Sequence, residues 1–326
     1  MGPGPGGGGA VGQGPARAAP RRSQPGLLMR VLIAGRQGQV AQALLRRLDG
    51  HAVTALEPPE LDLTDPASIA AAMEAARPEL VVNAAAYTAV DRAEDQEALA
   101  FAVNRDGAAH LAAAAAAMGA PFVHFSTDYV FDGRKGAPYV ETDAPSPLGV
   151  YGRSKAEGEA AVLAAHPRSV VLRTAWVCSA DGANFVKTML RLAAEREELR
   201  VVADQHGAPS FAADLADAVA VMAPRLLAAP AGDAAFGLFH LTGSPHTTWH
   251  GFTAEILAQA ARRGMRVPRL AAIATTDYPT RAMRPADARL DCGRIADIHG
   301  ISPADWRLSL AQCLDRLVGP AKELAE

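Results

Sequence analysis

The chain has 326 residues, 49% of them hydrophobic, and a formal net charge of -3. That length suits one large domain or two modest ones. The near-neutral charge argues against a dedicated nucleic-acid binder, and no apolar run approaches the ~20 residues that cross a bilayer. The three cysteines, Cys178, Cys292 and Cys313, lie far apart without a C-x-x-C pair. They leave metal and disulfide readings unsupported and suit a reducing cytoplasm, so a soluble, cytoplasmic protein is expected.

Residues 1–28 are rich in Gly and Pro and show no apolar periodicity. Such a stretch cannot bury enough surface to offset its ordering entropy, and it is expected to be a disordered extension. Met29 directly precedes the first strand-like run and is a candidate start of the folded chain. From there short β runs alternate with helical ones. Strands are expected at 30–34, 52–56, 80–83, 122–126 and 170–173, and helices at 39–48, 66–76, 100–118 and 151–165. Asp65 followed by Pro66 is an N-cap with proline at the first helical position. Alternation of this kind implies a parallel, doubly wound α/β sheet with ligands beyond the carboxyl ends of its strands. Past Arg173 the pattern loosens into helices near 184–198, 211–227 and 249–264 with short strands at 199–202 and 237–241. These suggest a smaller C-terminal lobe on the same scaffold. The expected division is 29–174 for dinucleotide binding and 175–326 mainly for substrate, the two being interleaved.

The first strand runs into Gly35-Arg36-Gln37-Gly38-Gln39-Val40-Ala41. Glycines there let the backbone turn tightly and approach a pyrophosphate at the start of a helix. Alone such a turn is common; following a strand and opening a helix, it points to a dinucleotide. Glu57 ends the second strand, where a carboxylate holds adenosine ribose hydroxyls, although a solvated surface acid is nearly as good a reading. Arg36 beside the turn pulls the other way, towards a 2′-phosphate. NADH is favoured slightly, with NADPH expected to work. Asp62-Leu63 lies where an adenine could rest. Ala84, Ala85 and Ala86 follow the third strand, and their small side chains fit either a dinucleotide passing over the backbone or close helix packing.

Tyr151-Gly152-Arg153-Ser154-Lys155 places a phenol and an ammonium at i and i+4 on one helical face. A free phenol has a pKa of about 10, and a nearby ammonium is expected to lower it. Thr127 ends the fourth strand and can hydrogen-bond a carbonyl that Tyr151 protonates. Each element alone has a bland alternative, a surface helix pair or a strand-end hydroxyl bonded to its own backbone. Together they suit hydride transfer to a carbonyl.

These motifs resemble the extended short-chain dehydrogenases/reductases, and among them most closely the dTDP-4-dehydrorhamnose reductases. The stretches that carry the likeness are VNAAAYTAVDRAE from Val82, STDYVFDG from Ser126, ETDAPSPLGVYGRSKAEGE from Glu141, LRTAWV from Leu172, NFVKTMLRLAAER from Asn184 and DQHGAPS from Asp204. Weaker echoes stand at Thr247-Thr248-Trp249-His250, Tyr278-Pro279-Thr280 and Arg284-Pro285. The resemblance spans essentially Met29 to the C-terminus. It implies a Rossmann fold and reduction of a keto group on a nucleotide-linked deoxysugar, in the supply of dTDP-rhamnose for cell-surface polysaccharide. It implies that Tyr151 donates the proton, that Lys155 activates it and holds the ribose, and that Thr127 polarises the carbonyl. Gly35, Gly38, Gln39 and Val40 would line the pyrophosphate, Asp62 and Leu63 the adenine, and Ala84 to Ala86 the nicotinamide side. Thr127, Asp128, Tyr151 and Trp176 would contact the sugar; an indole packs well on a pyranose face.

The chain departs from the family pattern in two places. Ala41 replaces the third glycine of many relatives. Where some relatives carry an acid for magnesium-linked dimerisation, this chain has Gln42-Ala43-Leu44, so no metal is expected and a homodimer stays open. Two rival readings remain. A non-catalytic regulatory subunit, like that of methionine adenosyltransferase, keeps the Tyr-x-x-x-Lys pair, but Thr127, Trp176 and DQHGAPS fit the reductases better. A dehydratase would need a second acid after Thr127-Asp128, where Tyr129 stands; a nucleotide-sugar epimerase is harder to separate on local chemistry.

Overall fold

The computed structural model describes Met1 and residues 28–321, so the expectation for the N-terminal extension falls almost wholly outside the described residues. Five strands form where the alternation placed them: β1 (Arg30–Ala34), β2 (Ala52–Leu56), β3 (Leu80–Asn83), β4 (Phe122–Thr127) and β5 (Ser169–Thr174). A sixth, Gly237–His240, pairs with β5, giving an all-parallel sheet in the order Gly237–His240, β5, β4, β3, β1, β2. From sequence this last strand read as part of the smaller lobe. Its half-buried first two residues and short length gave no sign that it edges the main sheet.

Strands β3 and β5 are buried throughout, as a sheet covered on both faces requires. One face packs on the helix α1 (Gln39–Arg47) and on Ala212–Ala228, through Leu44, Val219, Met222 and Leu226. The other packs on Pro66–Ala76 and Ala108–Ala117, through Ile69, Met73, Leu111 and Ala112. Asp65 caps Pro66–Ala76 by accepting from the Ala67 N–H at 2.9 Å. Chain order reverses at β1, whose neighbours are β2 and β3, so a crevice opens beyond the carboxyl ends of β1 and β3.

The helix expected over 100–118 is broken. Glu97–Phe101 runs into a π-helical stretch, Ala102–Gly107, before Ala108–Ala117. Two contacts explain the wider turn. Asn104 is clamped by both backbone groups of Tyr87, at 2.9 and 3.0 Å, and donates to the Ser154 hydroxyl at 2.9 Å. Gly107 lies so close to Leu63 that a Cβ would stand 2.4 Å from the Leu63 carbonyl oxygen. The alanine tract alone gave no sign of either.

A second cluster gathers the helices Phe185–Glu195, Trp249–Ala261 and Trp306–Val318 around Phe252, Ile256, Trp306 and Leu310. The parallel strands Glu198–Val202 and Arg269–Ile273 border it. Among the described residues no helix is long and apolar enough to cross a membrane.

Candidate active site

The glycine turn meets the crevice directly. Gly35 has φ +97, a left-handed conformation that costs other residues strain. A Cβ there would come within 3.4 Å of the Ala84 and Ala85 backbone, so the turn and the Ala84–Ala86 segment touch. Gly38 differs, because a Cβ added to it would meet nothing within 4 Å. It precedes α1 as N-cap with no side-chain hydrogen bond, which leaves the first N–H groups of α1 free of a side-chain cap. An open cradle at a helix start fits a pyrophosphate.

The other cofactor-side residues divide. Glu57 accepts from the Gln37 side chain at 2.7 Å and its backbone at 3.2 Å, with Arg36 at 3.5 Å. Burial raises its pKa, but the Gln37 bonds and the Arg36 charge outweigh that and leave it lowered, an ionised acceptor. Arg36 also reaches Glu60 at 3.7 Å, so the lone cation of the turn faces two acids. Asp62 accepts from the Thr64 backbone and hydroxyl, at 2.8 and 2.7 Å, and Leu63 is buried in the sheet core. The Gln39 carboxamide turns away from the turn. Its oxygen accepts from Ser179 and Asn184 and its nitrogen donates to the Val177 carbonyl, which leaves its backbone as the part facing the cradle.

At the end of β4 the Thr127 hydroxyl donates to Asp128 at 3.0 Å and accepts the Tyr129 N–H at 3.2 Å. Asp128 is 2% exposed, and its second oxygen, Oδ2, has no partner. Burial pushes its pKa up to about 7, against the Thr127 and backbone bonds. Tyr151 opens the helix Val150–Ala165, its ring edge-on to Tyr129 at 5.6 Å. Burial pushes its phenol up to about 12, opposed by a Thr127 hydrogen bond and reinforced by the Asp128 charge. The expected lowering by Lys155 is therefore overturned for the chain by itself. Lys155, 2% exposed, instead donates to the Phe125 carbonyl at 2.7 Å and meets His124 Nε2 at 3.2 Å. Burial brings its own pKa down to about 8, with the Glu159 charge opposing.

Trp176 has φ +48, a strained left-handed backbone for a bulky residue. Its indole stacks on Trp249 at 3.7 Å and lies over Gly207, where a Cβ would come within 2.7 Å of the ring. Trp176, Trp249, Asp128, Tyr129, Gln205 and Arg284 line one small cavity. It adjoins a cleft of about 600 Å³ that Tyr129, Gln205, Trp249 and Arg284 share with Asp91 and Tyr278. Arg284 donates to Asp91 at 2.8 Å, and its Nη1 is buried without a partner. The cavity thus holds one orphan acceptor, Asp128 Oδ2, and one orphan donor, Arg284 Nη1, both suited to a polar ligand. A separate, shallower groove among Arg30, Arg77, Glu79 and Arg168 lies at the opposite ends of the strands, far from this chemistry.

Several of these residues were not singled out in the sequence. Gln205, Trp249 and Arg284 stood in blocks that carry the family likeness, and that was the available signal. Glu159 closes the block from Glu141 and shared that signal, whereas His124 gave none, since a histidine inside a strand reads as core. Glu159 takes both arms of Arg173, at 2.9 and 2.6 Å, and the Ser126 hydroxyl at 2.5 Å, a buried ion pair beneath the site.

Residues 29–318 match the family model described as the RmlD substrate binding domain. A dTDP-4-dehydrorhamnose reductase of Sinorhizobium fredii is 44% identical over 297 residues, 90% of this chain and all of that protein. Among solved structures, the dTDP-4-dehydrorhamnose reductase of Clostridium acetobutylicum superposes with a TM-score of 0.82 at 35% identity, covering 89% of this chain and 99% of its own. That of Bacillus anthracis in complex with NADP gives 0.80 at 32% identity, covering 89% of this chain and all of its own.

Proposed function

Since the chain belongs to the RmlD substrate binding domain family, we propose that it reduces the C4 keto group of dTDP-4-dehydro-β-L-rhamnose to give dTDP-β-L-rhamnose, with NADH or NADPH as reductant. The observation that carries this is full-length likeness, at 44% identity, to a protein of that activity. The cleft supports it: its wall includes Tyr129, which packs edge-on to Tyr151, and its volume of about 600 Å³ is large enough for a nucleotide sugar.

The dinucleotide, when bound, supplies the hydride. Gly35, Gly38, Val40 and the Gln39 backbone would pass its pyrophosphate, Glu57 its ribose, Asp62 and Leu63 its adenine, and Ala84 to Ala86 its nicotinamide side. The Thr127 hydroxyl would turn from Asp128 to the substrate carbonyl, polarising it. Tyr151 would give its phenolic proton to the oxygen as negative charge develops there. A phenol held near 12 is a weak acid that keeps its proton until an alkoxide is there to take it. Asp128 Oδ2 would accept from a sugar hydroxyl, and the paired indoles of Trp176 and Trp249 offer an apolar wall.

The division into a dinucleotide part, 29–174, and a mainly substrate part, 175–326, belongs to the same reading. So do a cytoplasmic location, a homodimer as the candidate assembly, and the absence of nucleic acid and of a required metal. The deciding experiment couples the dTDP-4-keto-6-deoxy-sugar precursor and its epimerase to this protein and follows cofactor absorbance. Failure with both nicotinamides would overturn the proposal. Cofactor binding without turnover would favour the regulatory reading.

A further inference from the structure

His124 is 1% exposed, placed between Asn83 on β3 and Lys155 on the helix Val150–Ala165. Its tautomer follows from its neighbours. Asn83 Oδ1 accepts the Ala85 N–H at 3.1 Å, so the Nδ2 side of the carboxamide faces His124 Nδ1, also at 3.1 Å. An amide nitrogen only donates, so Nδ1 must be bare. A neutral imidazole with Nδ1 bare carries its hydrogen on Nε2, and Nε2 points at Lys155 Nζ, 3.2 Å away. Nζ meanwhile donates to the Phe125 carbonyl at 2.7 Å. An ammonium has three donors and no lone pair, so it would meet the Nε2–H donor against donor. An amine accepts from Nε2–H and still donates to Phe125.

We propose that Asn83 and His124 form a tautomer lock that holds Lys155 as a neutral amine at mildly alkaline pH, and that dinucleotide binding releases the lock and charges Lys155. The N–H bond formed on Nζ is the only covalent change, and the proton comes from solvent. His124 is thus a positioning residue that acts through Lys155. The groups around Lys155 fit this. From β4 come His124 and the Phe125 carbonyl, from β3 the neutral Asn83, and from its own helix Tyr151 and Glu159. Glu159 is the charge among them that favours the ammonium, beside the Phe125 carbonyl that accepts from Nζ, and Arg173 on β5 already holds both Glu159 oxygens. Burial acts in the same sense as the lock and disfavours charge on His124 as well as on Lys155.

The inference rests on the cofactor reading above, and two measurements separate the two. In the first, ¹⁵N NMR of the cofactor-free protein reads the His124 ring. The lock requires a bare Nδ1 and a protonated Nε2 at pH 8.5; the opposite tautomer, or an imidazolium at that pH, overturns it without touching the cofactor reading. In the second, NADPH and NADH are titrated calorimetrically at pH 8.5 in buffers of differing ionisation enthalpy, which counts protons taken up. With Lys155 at about 8 when free, about three quarters of a proton should enter per dinucleotide bound. His124→Gln offers Nζ a carbonyl oxygen and should cut that uptake below about a quarter, by letting the free protein keep its ammonium. Tight binding without uptake in the natural chain overturns the lock alone, and so does equal uptake in the variant. Absence of binding by either dinucleotide overturns the cofactor reading, and release of the lock with it. If His124→Gln does not fold, the NMR tautomer and the natural chain's uptake still decide.

Discussion

Replacing Asp128 by Asn should make the protein's stability less sensitive to pH, by an amount the structure sets. Asp128 is 2% exposed, its Oδ2 has no partner, and burial raises its pKa from 3.8 to about 7. A raised carboxyl binds its proton more tightly folded than unfolded. Between about pH 4 and 7 the native state therefore holds the extra proton, and stability falls as pH rises through that window. About three units at 1.36 kcal/mol each give a loss of about 4 kcal/mol, complete above about pH 7. Water entering the cleft lowers that figure, so about 2–4 kcal/mol is the working range. Asn keeps an oxygen for the Thr127 hydroxyl and cannot ionise. Urea unfolding of both proteins at pH 4.5 and 8.5 would measure it, and groups common to both cancel in the difference. The variant should gain about 2–4 kcal/mol on the parent between the lower and the higher pH. It should also lose substrate affinity, having exchanged an acceptor for a donor. Parallel pH dependences in the two proteins would refute the argument that Asp128 is desolvated in the empty cleft.

Four further outcomes can be checked separately. Tyr151→Phe should slow hydride transfer by about 10²–10⁴, seen in pre-steady-state cofactor absorbance, with dinucleotide affinity nearly unchanged; an unchanged rate would mean the proton comes from elsewhere. Gly38→Ala should leave the melting temperature within about a degree, since a Cβ there meets no atom of the chain, yet weaken NADPH at least about tenfold if the pyrophosphate fills that space. Gly35→Ala should lose stability as well, by about 1–2 kcal/mol, because its φ is +97. Arg173→Leu strands Glu159 in a site only 4% exposed and should cost about 3–5 kcal/mol in urea unfolding, while the double change with Glu159→Leu should recover most of it.

What the sequence made legible follows from where each interaction lies along the chain. The first five strands, the helix cap at Asp65 and the glycine turn are set by neighbours within a few residues, and they stand where the periodicity put them. The strand Gly237–His240 is fixed by pairing with β5, some 65 residues away, and the π-helical stretch by Tyr87, Ser154 and Leu63 from three other segments. The strand itself read as a strand from its own residues, but neither its place at the edge of the main sheet nor the π-helical stretch leaves a local signature. The same distinction runs through the site. Tyr151, Lys155 and Thr127 were visible as a motif, whereas His124 became visible only when β3, β4 and a helix met around it.

The helical spacing of Tyr151 and Lys155 suggested a simple division of labour, a cation lowering the pKa of its neighbouring phenol. The structure argues for a different order of events. Both groups are buried, and burial disfavours the charged form of each: it raises the phenol to about 12 and lowers the amine to about 8. Above about pH 8 the pair is therefore most stable with both members neutral. Neutral Tyr151 is the form a reduction needs, since the phenol must carry its proton into the site. The cation is needed later, when oxygen on the substrate gains charge and the phenol must let its proton go. A site that charges Lys155 only once its ligands are in place would avoid holding an uncompensated ammonium in its interior, and would keep electrostatic stabilisation for the step in which charge develops.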